Sequence, residues 1–206
     1  IKSPIRAVDA IALGVSEVTP MEIVASYSIF SNKGIYSEPI AITKIEDKYG
    51  QIIKEFNITQ QEVLSPETAY VVTNLLQTVI DKGTGGSARW KYKFRHKAAG
   101  KTGTTQGFSD AWFVGYTPNI SAGVWYGMDD YSVSLGDKQS GSTAALPAWA
   151  RFMREAHKEL GIRDEDFVMP EGVIEVEIDS DTKLLPRSNS RNIEKEIFFK
   201  SNKPTN

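Results

Sequence analysis

The six residues Gly100-Lys101-Thr102-Gly103-Thr104-Thr105 bring one ammonium, three hydroxyls and two glycines into a single short stretch. An ammonium flanked by hydroxyl donors grips anions, and glycines let a ligand come close to the backbone. The chemistry on offer is therefore the holding of a carboxylate or a phosphate. A Lys-Thr-Gly tripeptide is too short to be diagnostic, so its surroundings must select among anion-binding devices.

A phosphate-binding loop needs a glycine five positions before Gly100, where Arg95 stands, and a helix after the lysine. The segment after the lysine instead runs into Ala111-Trp112-Phe113-Val114-Gly115-Tyr116, which reads as a strand, so the pattern argues against a nucleotide site. A nucleophile elbow fails at Gly85-Gly86-Ser87-Ala88, because Arg89 occupies the position of its last glycine. Only His96 and His157 could act as a base, and both are expected at the surface. With no cysteine and two distant histidines, neither a metal nor another cofactor is expected.

The elements that must position the stretch are legible on both sides of it. Thr19-Pro20-Met21-Glu22 predicts a capped helix with Val24, Tyr27, Ile29 and Phe30 on its apolar face, closed by Asn32-Lys33-Gly34. Residues 40–45 and 51–56 flank a turn containing Lys48-Tyr49-Gly50 and predict a hairpin. Ser65-Pro66-Glu67 starts a second helix whose apolar side is Val72, Leu75, Leu76, Val79 and Ile80, and Thr84-Gly85-Gly86 reads as a flexible joint after it. Arg89 to Lys97 alternates aromatics and cations. It reads as a solvated edge strand and not as a nucleic-acid strip, because no second basic region supports it.

Beyond the stretch, residues 111–116 and 120–128 predict adjacent antiparallel strands joined by Thr117-Pro118-Asn119. A third helix is predicted from Thr143 to Leu160, with Ala145, Trp149, Phe152, Met153 and Ala156 inward. Val173 to Ile178 alternates as a half-exposed strand, and residues 201–206 are expected to be frayed.

Composition sets outer bounds. The 206 residues are 40% apolar and 24% charged, enough to bury a core. A net charge of -2 with mixed signs creates no field that would gather nucleic acid or coat an anionic membrane. No run reaches the roughly eighteen apolar residues of a membrane span, and Ile1-Lys2-Ser3-Pro4-Ile5-Arg6 does not resemble a signal peptide. The chain is expected to be cytosolic or a piece of something larger.

Taken together, Ala99 to Thr105, Ser109 to Pro118 and Ala122 to Gly127 resemble the third motif and following strands of the transpeptidase domain of penicillin-binding proteins, most like the bifunctional class A members. The resemblance extends upstream through Leu13-Gly14, Glu17 to Glu22, Asn32-Lys33-Gly34 and Lys82-Gly83-Thr84-Gly85. Downstream it takes in Gly141-Ser142-Thr143-Ala144-Ala145, Trp149 and Phe152-Met153.

That resemblance implies an α+β fold, an antiparallel sheet covered by helices, of the serine β-lactamase and penicillin-binding transpeptidase type but incomplete. Residues 1–170 would be the C-terminal part of the transpeptidase domain and residues 171–206 a terminal strand and tail. The implied reaction is acyl transfer through a serine ester on peptidoglycan stem peptides ending in D-alanyl-D-alanine, with β-lactams as analogues. By position, Lys101 would supply positive charge, Thr102 and Thr104 hydroxyls for the substrate carboxylate, and the Thr104 backbone N–H one oxyanion donor. Gly103 would leave room for the substrate.

The family's Ser-x-x-Lys and Ser-x-Asn motifs are absent from residues 1–100. Ser180-Asp181-Thr182-Lys183 and Ser190-Arg191-Asn192 match as strings, but Pro186 and the preceding strand leave no helix to align Ser180 with Lys183, which predicts a turn. The nucleophile is therefore expected outside the chain, in an N-terminal remainder of the domain. The parent would be membrane-anchored and extracytoplasmic, the isolated chain inactive with a large exposed apolar face. A non-catalytic module that binds a peptide or partner at the Lys101 edge is the alternative.

Overall fold

The computed structural model describes residues 1–204, and its first regular helix, α1 (Pro20–Ser31), starts where the sequence places it. The Thr19 hydroxyl accepts from Glu22 N, and the Glu22 carboxylate accepts from Thr19 N, satisfying two orphan donors reciprocally. The same carboxylate takes Ser3 Oγ and the N–H groups of Ser3 and Lys2. These bonds, the Ser3 hydroxyl foremost, hold its pKa well below the usual carboxylate range. The chain leaves α1 through two left-handed residues, Lys33 and Gly34 (φ 54° and 93°). Glycine is required at the second, since a Cβ would lie 2.0 Å from the Leu64 carbonyl oxygen.

Strand β1 (Ile35–Ser37) is followed by the predicted hairpin, β2 (Lys44–Glu46) with β3 (Ile52–Glu55), and then by β4 (Gln60–Glu62), which pairs with β1. Helix α2 (Pro66–Asp81) is capped by Ser65, whose Oγ accepts from Thr68 N. Its buried side is Ala69, Thr73 and Ile80, while Leu75, expected inward, is exposed. The expected joint Thr84-Gly85-Gly86 is a bonded turn, with Gly85 buried and its N–H on Val79 O at 2.8 Å.

The expected edge strand over Arg89–Lys97 does not form. Its start is the short helix α3 (Ser87–Trp90), and the remainder is irregular. The segment is folded back on itself instead: Arg89 pairs with Asp81 at 2.9 Å and donates to the carbonyls of Phe94 and His96, while the fully buried Phe94 ring packs edge-on against Trp149. Aromatics that look alternate in sequence therefore go to different places, Trp90 outward and Phe94 into the core.

The central sheet is β5 (Ala99–Thr104), β6 (Asp110–Tyr116) and β7 (Ser121–Gly127), antiparallel in that order. Lys101 lies opposite Val114, Thr102 opposite Phe113, Gly103 opposite Trp112 and Thr104 opposite Ala111. One face packs on α4 (Leu146–Glu159), which comes after a wide helical turn at Gly141–Ala145. There Trp149 meets Phe113 and Phe94 with ring centroids 4.8 and 5.3 Å apart, and its indole N–H donates to Ala122 O at 3.1 Å. The other face receives α1, with Tyr27 and Phe30 against Tyr116, and α2, whose Thr73 hydroxyl bonds Tyr116 Oη at 3.0 Å. Burial raises the Tyr116 pKa well above its ordinary value.

Two expectations about α4 are corrected. Phe152 is exposed, because the buried stripe runs Leu146, Trp149, Ala150, Met153 and His157. His157 is buried, not superficial. Its Nδ1 lies 2.7 Å from Met153 O and its Nε2 3.0 Å from Thr117 Oγ1, which fixes the neutral tautomer with the proton on Nδ1. His96, also expected at the surface, is half-buried and lies tilted against it at 4.3 Å between centroids.

Strand β8 (Val173–Asp179) appears as expected but pairs with a strand the sequence does not announce, β9 (Ile193–Phe199). The chain then turns once at Lys200–Asn202, where fraying was expected; Thr205 and Asn206 lie outside the described residues. The architecture is α+β, an antiparallel sheet with helices on both faces and three two-stranded outliers.

Candidate functional site

Strand β5 lies at the edge of the central sheet, and no described strand pairs with its outer side. Because side chains alternate, Lys101 and Gly103 share one face with Val114 and Trp112, and Thr102 and Thr104 share the opposite face with Phe113 and Ala111. The stretch that reads as one anion-gripping rim is thus split between two faces. Lys101 is exposed, and among the described residues its Nζ bonds only the Thr102 carbonyl, at 2.9 Å, leaving two N–H donors for a ligand.

Each threonine hydroxyl is anchored from behind. Thr102 Oγ1 meets Thr84 Oγ1 at 2.9 Å, so the turn after α2 is tied to the strand. Thr104 Oγ1 accepts from Gly141 N at 3.0 Å, so the turn before α4 is tied to it as well, and the Thr104 O–H stays free to donate. Thr105 closes the strand: its Oγ1 accepts from Asp110 N at 2.8 Å and bonds Ser109 Oγ at 2.9 Å.

The glycines serve close approach. A Cβ at Gly103 would stand 3.1 Å from Trp112 Cβ, and one at Gly100 would stand 2.8 Å from Val114 O. At Gly141 the clash is with backbone alone, 2.2 Å from Trp112 O and 2.6 Å from Gly103 O. On the Lys101 face, beside Gly103, Trp112 and Trp125 stand 6.2 Å apart, and Trp125 Nε1 donates to Asp110 Oδ1 at 2.7 Å. Thr84, Gly141 and the Asp110–Trp125 pair are contributors that the motif alone does not reveal. Their signal is that Lys82-Gly83-Thr84-Gly85, Ser109 to Pro118, Ala122 to Gly127 and Gly141-Ser142-Thr143 belong to the stretches carrying the resemblance.

The downstream strings are not brought to this site's chemistry. Ser180 to Lys183 forms a turn with Lys183 left-handed (φ 60°), as expected. Ser180 Oγ donates to Asn192 O, Lys183 Nζ to Glu194, and Ser190 Oγ to Asp179. No group of three His, Cys, Asp or Glu side chains among the described residues stands as a metal-ligand set, and no described helix is long and apolar enough to cross a membrane.

Comparison with known proteins gives the family and the fold. The family model described as the penicillin binding protein transpeptidase domain matches residues 6–153. Penicillin-binding protein 1A of Aquifex aeolicus is 37% identical over 195 residues, covering 95% of this chain and 26% of the relative. Penicillin-binding protein 1A of Clostridium tetani is also 37% identical, over 85% of this chain and 22% of its own length. The crystal structure of penicillin-binding protein 1A from Haemophilus influenzae superposes with a TM-score of 0.88 at 27% identity, over 98% of this chain and 35% of that one. The chain therefore spans about a quarter of the length of the curated relatives it matches.

Proposed function

The chain belongs to the penicillin-binding protein transpeptidase domain family, and from that premise we propose that it is the C-terminal part of a peptidoglycan D,D-transpeptidase, supplying the substrate-binding strand but not the nucleophile. The observation that carries this reading is the exposed Lys101 on the free edge strand β5, its neighbouring threonines anchored by Thr84 and Gly141. In this reading the Lys101 ammonium draws the terminal carboxylate of a D-alanyl-D-alanine stem peptide to the β5 edge, the Thr102 and Thr104 hydroxyls meet the substrate from the strand's other face, and Gly103 leaves room for it. The Thr104 backbone N–H donates to the carbonyl oxygen as it becomes an oxyanion.

A serine from the N-terminal remainder attacks the penultimate D-alanine carbonyl. The C–N bond to the terminal D-alanine breaks, and the acyl-serine is then attacked by an acceptor amine, which restores the serine hydroxyl. β-Lactams acylate the same serine. The accessible surface of 13687 Å² supports the incomplete reading, because a chain of 22.8 kDa with a complete core would expose only about 9,600 Å². Residues 1–170 form the domain's C-terminal part and 171–206 a terminal extension, a division supported by the family match ending at residue 153 and by β8 pairing with β9 alone. The parent is anchored at the extracytoplasmic face of the membrane, where its substrate is. Its partners are stem peptides, β-lactams and the remainder of its own domain, and nucleic acid is not among them.

The test is labelling with a fluorescent penicillin. The parent protein should form a covalent adduct and residues 1–206 alone should not. A β-lactam ester found by mass spectrometry on any serine of this chain would overturn the assignment. A parent that holds stem peptide at the β5 edge without ever being acylated would instead be a non-catalytic binding module.

A further inference from the structure

Behind the threonine face of β5 lies a groove of ≈ 440 Å³ that the transpeptidase reading does not use. Its two walls are the elements that the β5 hydroxyls anchor. Thr84 and Ser87 come from the turn after α2, and Ser142 and Thr143 from the turn whose Gly141 bonds Thr104. At one end stand two aromatics, Trp90, which is 72% exposed, and the half-buried Tyr92.

The aromatic end is held rigidly. Arg89 ties α3 to Asp81 and to two carbonyls, Arg154 donates to Tyr92 O at 3.0 Å, and the Arg151 guanidinium lies 5.6 Å from the Tyr92 ring centre. Keeping an indole this exposed on a fixed turn forgoes its burial free energy, and among the described residues none packs over it. An uncovered flat ring beside a row of hydroxyls suits a ligand with C–H faces and many hydroxyls of its own. No carboxylate lines the groove, so it offers nothing to the amine of an acceptor peptide, and its one ammonium is that of Lys91.

We propose that this groove is a saccharide subsite that takes N-acetylated amino-sugar units of the glycan strand carrying the stem peptide. The proposal rests on the transpeptidase reading for its substrate and extends it from the peptide to the sugar. Trp90 is the stacking platform, and the Thr84, Ser87 and Ser142 hydroxyls meet those of the sugar. Since Thr84 and Gly141 also bond the two threonines of β5, an occupied groove would steady the strand that holds the peptide.

The experiment uses the parent protein and its Trp90→Ala and Trp90→Tyr variants. Three readouts are compared: kcat/KM on a disaccharide-linked stem pentapeptide, kcat/KM on the free pentapeptide, and the rate of acylation by labelled penicillin. Trp90→Ala should lower the first by about tenfold, the loss typical of an aromatic anchor, and leave the other two within about twofold. Trp90→Tyr should recover most of the loss. Titration with the tetramer of N-acetylglucosamine, which needs no catalysis, should detect binding to the parent that Trp90→Ala abolishes. Equal losses on both peptides, no loss on either, or no tetramer binding by the parent would overturn the proposal. A parent that binds the tetramer but is never acylated by penicillin would leave the groove standing and remove the transpeptidase reading.

Discussion

The substitution Gly141→Ala adds a single methyl where there is only backbone to receive it. Its carbon would sit 2.2 Å from Trp112 O and 2.6 Å from Gly103 O, whereas ordinary contact begins near about 3.5 Å, so the turn and the β5–β6 pair must part by roughly 1 Å. Gly141 is not in a left-handed conformation, so the effect is one of space and not of backbone preference. Overpacking of this kind costs about 1–3 kcal/mol, and losing the bond from Gly141 N to Thr104 Oγ1 adds about 1 kcal/mol. In the parent transpeptidase the melting temperature should fall by on the order of 10 °C. A shift of that size at Gly103 and Thr104 should slow penicillin acylation by about a hundredfold, since misplacement by 1 Å has that order of effect. Thr104→Val separates the two contributions. It removes the acceptor without adding bulk and should cost only about 1 kcal/mol of stability. If Gly141→Ala melted and acylated like the wild type, the claim that the Gly141 turn sets the position of β5 would be wrong.

Three further outcomes are expected. Lys101→Ala in the parent should change stability by less than about 0.5 kcal/mol, since Lys101 is exposed and bonds only its own strand, yet lower acylation by roughly tenfold to a hundredfold; a parallel fall in both would refute a binding role. Burial, opposed by the Met153 carbonyl and Asp164 but helped by His96, pushes the His157 pKa below its usual value. The unfolded chain thus takes up the proton first, so stability is complete above the unfolded pKa of about 6.5 and is lost as pH falls through it toward the lower folded value. Melting temperatures of the parent at several pH values check this, and His157→Gln should flatten the slope below neutrality. Residues 1–206 alone should bind an apolar dye and unfold over a broad, low transition, and a sharp, high one would refute the incomplete reading.

The beginnings of α1 and α2 are legible because caps are local: Thr19 with Glu22, and Ser65 with Thr68, act within one turn. Strands β6 and β7 are legible through their aromatic and β-branched runs, and the strand after Lys101 is by itself enough to rule out a phosphate loop. What the sequence could not convey lies in contacts between distant residues. A hydrophobicity pattern puts Phe152 inside and leaves His157 out. The structure reverses them because the Met153 carbonyl and the Thr117 hydroxyl satisfy both ring nitrogens of His157. The segment Arg89–Lys97 looks like an edge strand until Phe94 is seen buried against Trp149. Strand β9 hides behind Glu194-Lys195-Glu196, two of whose charges are met across the hairpin and its turn: Lys195 pairs with Glu175 at 2.7 Å, and Glu194 with Lys183. At the candidate site, residue types announced the lysine, but only the register revealed that it and the threonines face opposite ways.

That division of β5 has an evolutionary corollary. Under the proposed assignment, an inhibitor that copies the substrate meets the front of the strand, where a change to Lys101 or Gly103 would also harm the natural reaction. The supports behind it, Thr84 and Gly141 with its neighbours, touch no ligand at the front and yet set where the hydroxyl-bearing residues stand. Selection by a drug can therefore act on the rear supports, shifting the strand by fractions of an ångström that a rigid bicyclic inhibitor feels more than a flexible peptide does. Resistance in such a protein would accumulate in residues that no map of drug contacts includes.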